Sequence, residues 1–208
     1  VLAQLFRYHP VQDLDAVFIS HYHHDHMADV GCLQYAIRLT NNLNKAQKTL
    51  PIYGHPHSEI FAQLTAAKDQ VYTQGIAVDD GQTIELNGLQ VRFMKTVHEQ
   101  YNLAMRFEYQ GKSLVYTGDG EYQESLIDFA RGCDLLVCEA CLFAAEKGVA
   151  PGHMTSVEAA EIAAKAGAGK LMLTHFPHFS NIEQLKLEAE QRFTGPVELA
   201  QCGKVIHL

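Results

Sequence analysis

His21, His23, Asp25 and His26 fall within the six-residue run His21-Tyr22-His23-His24-Asp25-His26. His21 and His23 are two apart, so on continuing strand geometry they point the same way, and His24 points away from them. Imidazoles and a carboxylate gathered at the end of an apolar strand-like run form a metal site in outline. Three later residues have the same placing. His98, Asp119 and His175 are each the first strong ligand type beyond a strand-like run. Together these make five histidines and two aspartates, too many for one tetrahedral ion but enough for two ions sharing a bridging carboxylate. Two metals roughly 4 Å apart serve hydrolysis, because water bound there ionises near neutral pH. Nitrogen and oxygen ligands without thiolate fit two Zn2+, and Mn2+ or Fe2+ are compatible with the same set.

The elements that must position these residues are legible as alternating strand and helix patterns. Asp15 to Ser20 reads as a buried strand, with Asp25 and His26 in the turn behind it. Residues 28–40 read as a helix with Val30, Leu33, Ile37, Tyr35 and Ala36 toward its inner face. A short strand is expected at 51–54 and a helix at 58–67, with Ser58 as its cap. Thr83 to Leu86 and Leu89 to Phe93 flank Asn87-Gly88, a strong hairpin signal, and 102–109 and 113–117 flank a second turn. From there helices at 123–131, 155–167 and 182–193 alternate with strands at 134–139, 170–174, 197–201 and 204–208. Thr155-Ser156-Val157-Glu158 has capping-box form, and Gly167 can close the helix it opens. The pattern implies a layered α/β fold with its site at the ends of the strands.

Composition narrows the classes. The chain has 208 residues, expected as a single domain over 1–208, with 16 basic and 24 acidic side chains and a net charge of −8. That balance gives no sign of a nucleic-acid surface. No apolar run approaches the roughly 20 residues needed to span a bilayer. Five scattered cysteines argue against a disulfide framework and for a reducing, cytoplasmic setting. Cys138 and Cys141 have the C-x-x-C form, but no second pair accompanies them, and Cys138 reads as core.

The series His21-x-His23-x-Asp25-His26, then His98, Asp119 and His175, resembles the metallo-β-lactamase fold superfamily over essentially the whole chain. That resemblance implies an αββα sandwich. It implies one zinc held by His21, His23 and His98, another by Asp25, His26 and His175, and Asp119 bridging the two. Asp119 stands where the β-lactamases of the family commonly have cysteine, which turns the expectation away from antibiotic hydrolysis. His23 stands where the oxygen-reducing members have glutamate, which turns it away from redox chemistry.

Glu139-Ala140, then Gly152-His153-Met154-Thr155 and Leu173-Thr174-His175-Phe176, is similar to the ribonuclease Z branch, which also holds compact cyclic phosphodiesterases. The resemblance implies that His153 contacts the scissile phosphate or protonates the leaving oxygen, that Glu139 orients it, and that Asp25 serves catalysis. Only one hairpin fits between His98 and Asp119, where ribonuclease Z carries a tRNA-gripping arm. The loop Phe176 to Asn181 also lacks the arginine usual there. The leading expectation is therefore a zinc phosphodiesterase for a small or cyclic phosphodiester. A lactone or thioester hydrolase of the same fold is the first alternative, and a tRNA 3′-processing endonuclease the second. A homodimer is compatible with the family likeness.

His55 and His57 are expected in a plain loop, His178 beside the substrate pocket, and His9 and His207 at the surface. Tyr22 is expected to pack beneath the ligand loop. The segment Val1 to Tyr8 reads as a helix. Family members usually begin with a hairpin before it, so about 30–40 residues, a few strands of typical length, are expected to be missing from the first sheet.

Overall fold

The computed structural model describes residues 2–44, 47–178 and 180–208. Val1, at the head of the expected first helix, and Phe179, in the loop beyond His175, lie outside the described residues. The chain packs as two compact units, residues 1–79 and 80–208.

The first unit carries four strands: β1 (Val17–Phe18), β2 (Leu50–Gly54), β3 (Ala66–Ala67) and β4 (Val71–Ala77). Their spatial order is β1-β2-β4-β3, with β1, β2 and β4 parallel and β3 antiparallel on β4. Leu50, Ile52 and Tyr53 make β2 nearly continuous in apolar residues, as a strand buried on both faces must be. Helices α1 (Leu2–Leu5), α2 (His24–Met27) and α3 (Val30–Asn44) complete the unit. In α3, Val30, Leu33 and Ile37 are buried in helical register, while Tyr35 is exposed, contrary to expectation. Asn41 continues the buried series, and its Nδ2 donates to the Lys48 carbonyl at 2.7 Å, closing the return to β2.

Three expectations need correction here. Residues 24–27 are a one-turn helix and not a plain turn. The helix expected at 58–67 is a 3-10 helix at Glu59–Leu64 followed by β3. Thr65 Oγ1 accepts the Gly75 amide, and Thr73 Oγ1 accepts that of Ala66, so side chains draw this segment into the sheet. Strand β4 was not anticipated, because Gln74 and Gly75 interrupt its apolar pattern.

The second unit is one seven-stranded sheet in the order β11-β10-β9-β8-β7-β6-β5. β5 (Thr83–Leu86), β6 (Leu89–Lys95), β7 (Leu103–Tyr109) and β8 (Lys112–Tyr116) form an antiparallel meander. Its two hairpins turn through Asn87-Gly88 and Gln110-Gly111, all four at positive φ as two-residue turns require. β9 (Leu135–Glu139), β10 (Leu171–Thr174) and β11 (Val197–Leu199) continue the sheet in parallel. Helices α4 (Glu124–Phe129), α5 (Ser156–Ala166) and α6 (Ile182–Glu190) supply the connections. Thr155 and Glu158 form the expected capping box on α5, and Gly167 ends it at φ 65. Ala159, Ala160, Ala163 and Ala166 lie buried in α5 among the apolar side chains of the sheet. The strand expected at 204–208 does not form, and those residues are irregular and largely exposed. The α/β class is as the sequence implied.

Candidate metal centre

In the first unit the ligand-type residues leave the end of β1. Ile19 still pairs with Tyr53, its amide donating to that carbonyl at 2.9 Å. His21 is buried, with Nδ1 3.1 Å from Ser20 Oγ and Nε2 3.1 Å from His23 Nδ1. Two nitrogens each bound to one tetrahedral zinc at its usual bond length lie about 3.3 Å apart, so this pair has the spacing of a shared ion. His23 also heads α2, its carbonyl accepting the His26 and Met27 amides. That single turn sets the His26 ring 4.1 Å from the ring of His21 and leaves Asp25 Oδ2 3.2 Å from His26 Nε2. Tyr22 points the other way, buried, with its hydroxyl donating to the His55 carbonyl at 2.6 Å. Burial also pushes the Tyr22 hydroxyl well above its ordinary range. His24 is exposed.

In the second unit His98, Asp119 and His175 meet at one carboxylate oxygen. Asp119 Oδ2 lies 3.3 Å from His175 Nε2 and 3.9 Å from His98 Nε2. Two imidazole nitrogens facing one buried oxygen suit a shared divalent cation. His98 Nδ1 donates to the Gly152 carbonyl at 2.8 Å, so its Nε2 is the basic nitrogen. Asp119 is held by its backbone: its carbonyl accepts Thr96 Oγ1 at 2.6 Å and its amide donates to Asn102 Oδ1 at 3.3 Å. Asn102 is buried and also donates to Thr96 Oγ1 and the Thr117 carbonyl. Gly118 turns the chain at φ 59 so closely that a Cβ there would sit 2.4 Å from Asn102. His175 adopts φ 55, a left-handed conformation rare for a non-glycine residue and concentrated at functional sites. The donor chemistry and spacing in both units fit divalent metal.

Beside this cluster stands an acid–imidazole pair. Glu139, at the end of β9, is fully buried, and its Oε1 lies 3.0 Å from His153 Nδ1. The same carboxylate accepts the amides of Gly120, Cys141 and Met154. Four donors on one carboxylate satisfy its charge inside the protein. His153 opens on a cleft of about 340 Å³ lined also by Glu121, Tyr122, Lys147 and Glu158.

His55 lies in the loop after β2, as expected, but is buried. His57 donates its amide to His55 Nδ1 and sets its own Nε2 2.7 Å from Asp79. Burial, then the neighbouring His57, push His55 down to about 4, against a smaller opposing pull from Asp79. His178, His9 and His207 are exposed. Thr96 and Asn102 brace the Asp119 backbone but were not singled out from sequence, and Gly152 entered only as part of the His153 motif, without its carbonyl's role on His98. Short polar residues near a ligand are common in loops, and nothing local marked these as buried.

The profile of the beta-lactamase superfamily domain matches residues 1–176. A probable metallo-hydrolase, YhfI of Bacillus subtilis, is 44% identical over 206 residues, covering 99% of this chain and 83% of its own. The crystal structure of that metallo-beta-lactamase fold protein superposes with a TM-score of 0.90 at 43% identity, covering 98% of this chain and 81% of the other. The short form of human tRNase Z superposes with a TM-score of 0.71 at 21% identity, over 99% and 84% of the two chains. A diphosphatase of the PhnP family gives 0.66 at 23% identity, over 93% and 71%.

Proposed function

Because the chain belongs to the metallo-β-lactamase superfamily of metal-dependent hydrolases, we propose that it is a phosphodiesterase acting on a small or cyclic phosphodiester. The observation that carries this reading is the buried Glu139 holding His153 by Nδ1 at the edge of a small polar cleft. Carbonyl substrates such as lactones and thioesters need a donor for the oxyanion. A diester with an alkoxide leaving group needs an acid, which a positioned imidazole supplies.

In this reading the ligand order of the motif is kept. His21, His23 and His98 would hold one ion and Asp25, His26 and His175 the other, with Asp119 as a further carboxylate ligand. Bound there, divalent metal supplies Lewis acidity and lowers the pKa of water toward neutrality. The protein's own part is positioning. Glu139 fixes the His153 tautomer and faces the positive charge the ring carries when both nitrogens are protonated. His153 Nε2 then gives its proton to the departing alkoxide. Asp25 orients the attacking water. Five free thiols fit a cytosolic setting, and among the described residues no helix is long and apolar enough to cross a membrane. A second copy of the chain remains a proposal on family likeness alone.

The test is leaving-group dependence. On a diester that expels an alkoxide, such as a 2′,3′-cyclic nucleotide, His153→Ala is expected to lower turnover about 10²–10⁴-fold. On bis(p-nitrophenyl) phosphate, whose leaving group needs no proton, the loss shrinks. Asp25→Ala lowers both. Equal loss on the two substrates would reject His153 as the acid, and faster turnover of lactones or thioesters than of diesters would favour the carbonyl reading.

A further inference from the structure

We propose that Cys141, His153 and His175 form an additional cation site of mixed thiolate and imidazole character, which arrests the enzyme when a thiophilic divalent metal is in excess. Each of the three residues offers a ligand atom, and these atoms lie within 4.8 Å of one another. All three are half-buried, so the cluster is reachable from solvent. The rings of His153 and His175 stack nearly parallel, 10° apart in plane with centroids at 5.3 Å.

Glu139 assembles two of the three. One of its oxygens takes His153 Nδ1 at 3.0 Å, and the other accepts the Cys141 amide at 3.3 Å. With Nδ1 engaged by the carboxylate, His153 Nε2 is its basic nitrogen. Cys138, three residues earlier, faces the core with Sγ 3.6 Å from Met154 Sδ, and burial pushes its thiol up. Among the described residues no other cysteine belongs to a ligand group of this kind.

The donor set decides what enters. Two nitrogens and a sulfur favour soft or borderline ions such as Cd2+ and Zn2+ over Mg2+ or Mn2+, whereas His98, Asp119 and His175 offer only nitrogen and oxygen. On binding, the ion replaces the thiol proton, which passes to solvent, and no oxidation state changes. The consequence for catalysis rests on the function proposed above. An ion at this site takes His153 Nε2, the proton donor, and competes for His175.

Cadmium chloride titrated into the zinc-loaded protein tests this. Thiolate-to-metal charge-transfer absorption in the ultraviolet and residual diesterase activity are followed together. The expected result is a saturable band that tracks inhibition in the wild type and in Cys32→Ser. In Cys141→Ser the band is lost, and the inhibitory midpoint, relative to that variant's own uninhibited rate, rises about 10–100-fold. Cys141→Ala serves if the serine variant folds poorly. Excess zinc is also expected to slow alkylation of Cys141 by iodoacetamide, read by mass spectrometry. A band unchanged by Cys141→Ser, or alkylation indifferent to zinc, overturns the site. A band without any diesterase turnover leaves the site standing and defeats the proposed function, and turnover without the band does the reverse.

Discussion

The two units hold their ligand-type side chains in different ways. In residues 80–208 the ligand-type side chains are braced by protein: Asp119 is 2% exposed, His175 is half-buried, Gly152 fixes the His98 ring, and Thr96 and Asn102 hold the Asp119 backbone. In residues 1–79 they sit on a one-turn helix and the loop before it. The Asp25 side chain is 66% exposed, although His21 is buried with Ser20 Oγ 3.1 Å from its Nδ1. A buried carboxylate must be satisfied by protein whether or not an ion arrives, so its partners are built into the fold. An exposed one can be satisfied by water and can wait for the ion. The second unit's groups are therefore preorganised by protein, and the first unit's are expected to be ordered by an ion.

Two glycines break this contrast most directly. Gly118→Ala combines a left-handed φ with a Cβ 2.4 Å from Asn102. Backbone strain and overpacking together are expected to destabilise by about 2–5 kcal/mol. Gly54→Ala, in the first unit, meets the Tyr22 hydroxyl at 2.5 Å and Leu64 Cδ1 at 3.1 Å without a left-handed φ, so overpacking alone, about 1–3 kcal/mol, is expected. Urea denaturation of both variants measures the difference, and an equal or larger loss for Gly54→Ala would contradict it.

Acid sharpens the contrast from the other side. His55 in the folded chain sits at about 4, below its ordinary 6.5, so between those values the unfolded chain binds more protons. Its contribution is fully present above pH 6.5 and is lost as pH falls toward 4, by up to about 3 kcal/mol. His55→Asn, which keeps an acceptor for the His57 amide, should flatten the fall in urea midpoint of chelated protein between pH 7 and pH 4.5. An unaltered slope would remove His55 as the acid-sensitive group of the first unit.

What sequence revealed of this site, and what it hid, follows the same division. The ligand series was legible because metal chemistry restricts residue type and strand ends restrict position. Glu139 and His153 were legible by family resemblance, and their 3.0 Å approach gives that pairing a geometry. The braces were not, because the Asn102 side chain acts through three partners outside its own loop and looks locally like any loop asparagine. β4 was missed for a related reason: its strand character comes from pairing with β2 and not from its own alternation. Tyr35 was placed inward by helical spacing alone, although an aromatic ring at the stripe's edge can equally face solvent.

Asn102→Ala measures the braces directly. It removes donors to Thr96 and Thr117 and the acceptor for the Asp119 amide. Loss of such supporting groups costs about 10–100-fold in metal affinity. Ser20→Ala removes one contact to His21, and its expected cost lies at or below the lower end of that range. Competition with a chromophoric chelator reads both, and a Ser20→Ala loss exceeding that of Asn102→Ala would invert the assignment of which half is preorganised.

The smallest effect is the most diagnostic. If the first unit's ligands are ordered by the ion, stripping metal should loosen residues 21–27 while leaving 117–121 and 139 nearly as they were. Hydrogen exchange reports local opening in those terms. The His26 and Met27 amides, which donate to the His23 carbonyl, are expected to exchange about tenfold faster after chelation, equivalent to about 1.4 kcal/mol of opening free energy. The Asp119 and Gly120 amides, donating to Asn102 and Glu139, should change by less than about twofold, because neither partner is supplied by the ion. Equal acceleration in both segments would mean that metal organises the whole site and that the braces of the second unit follow from it.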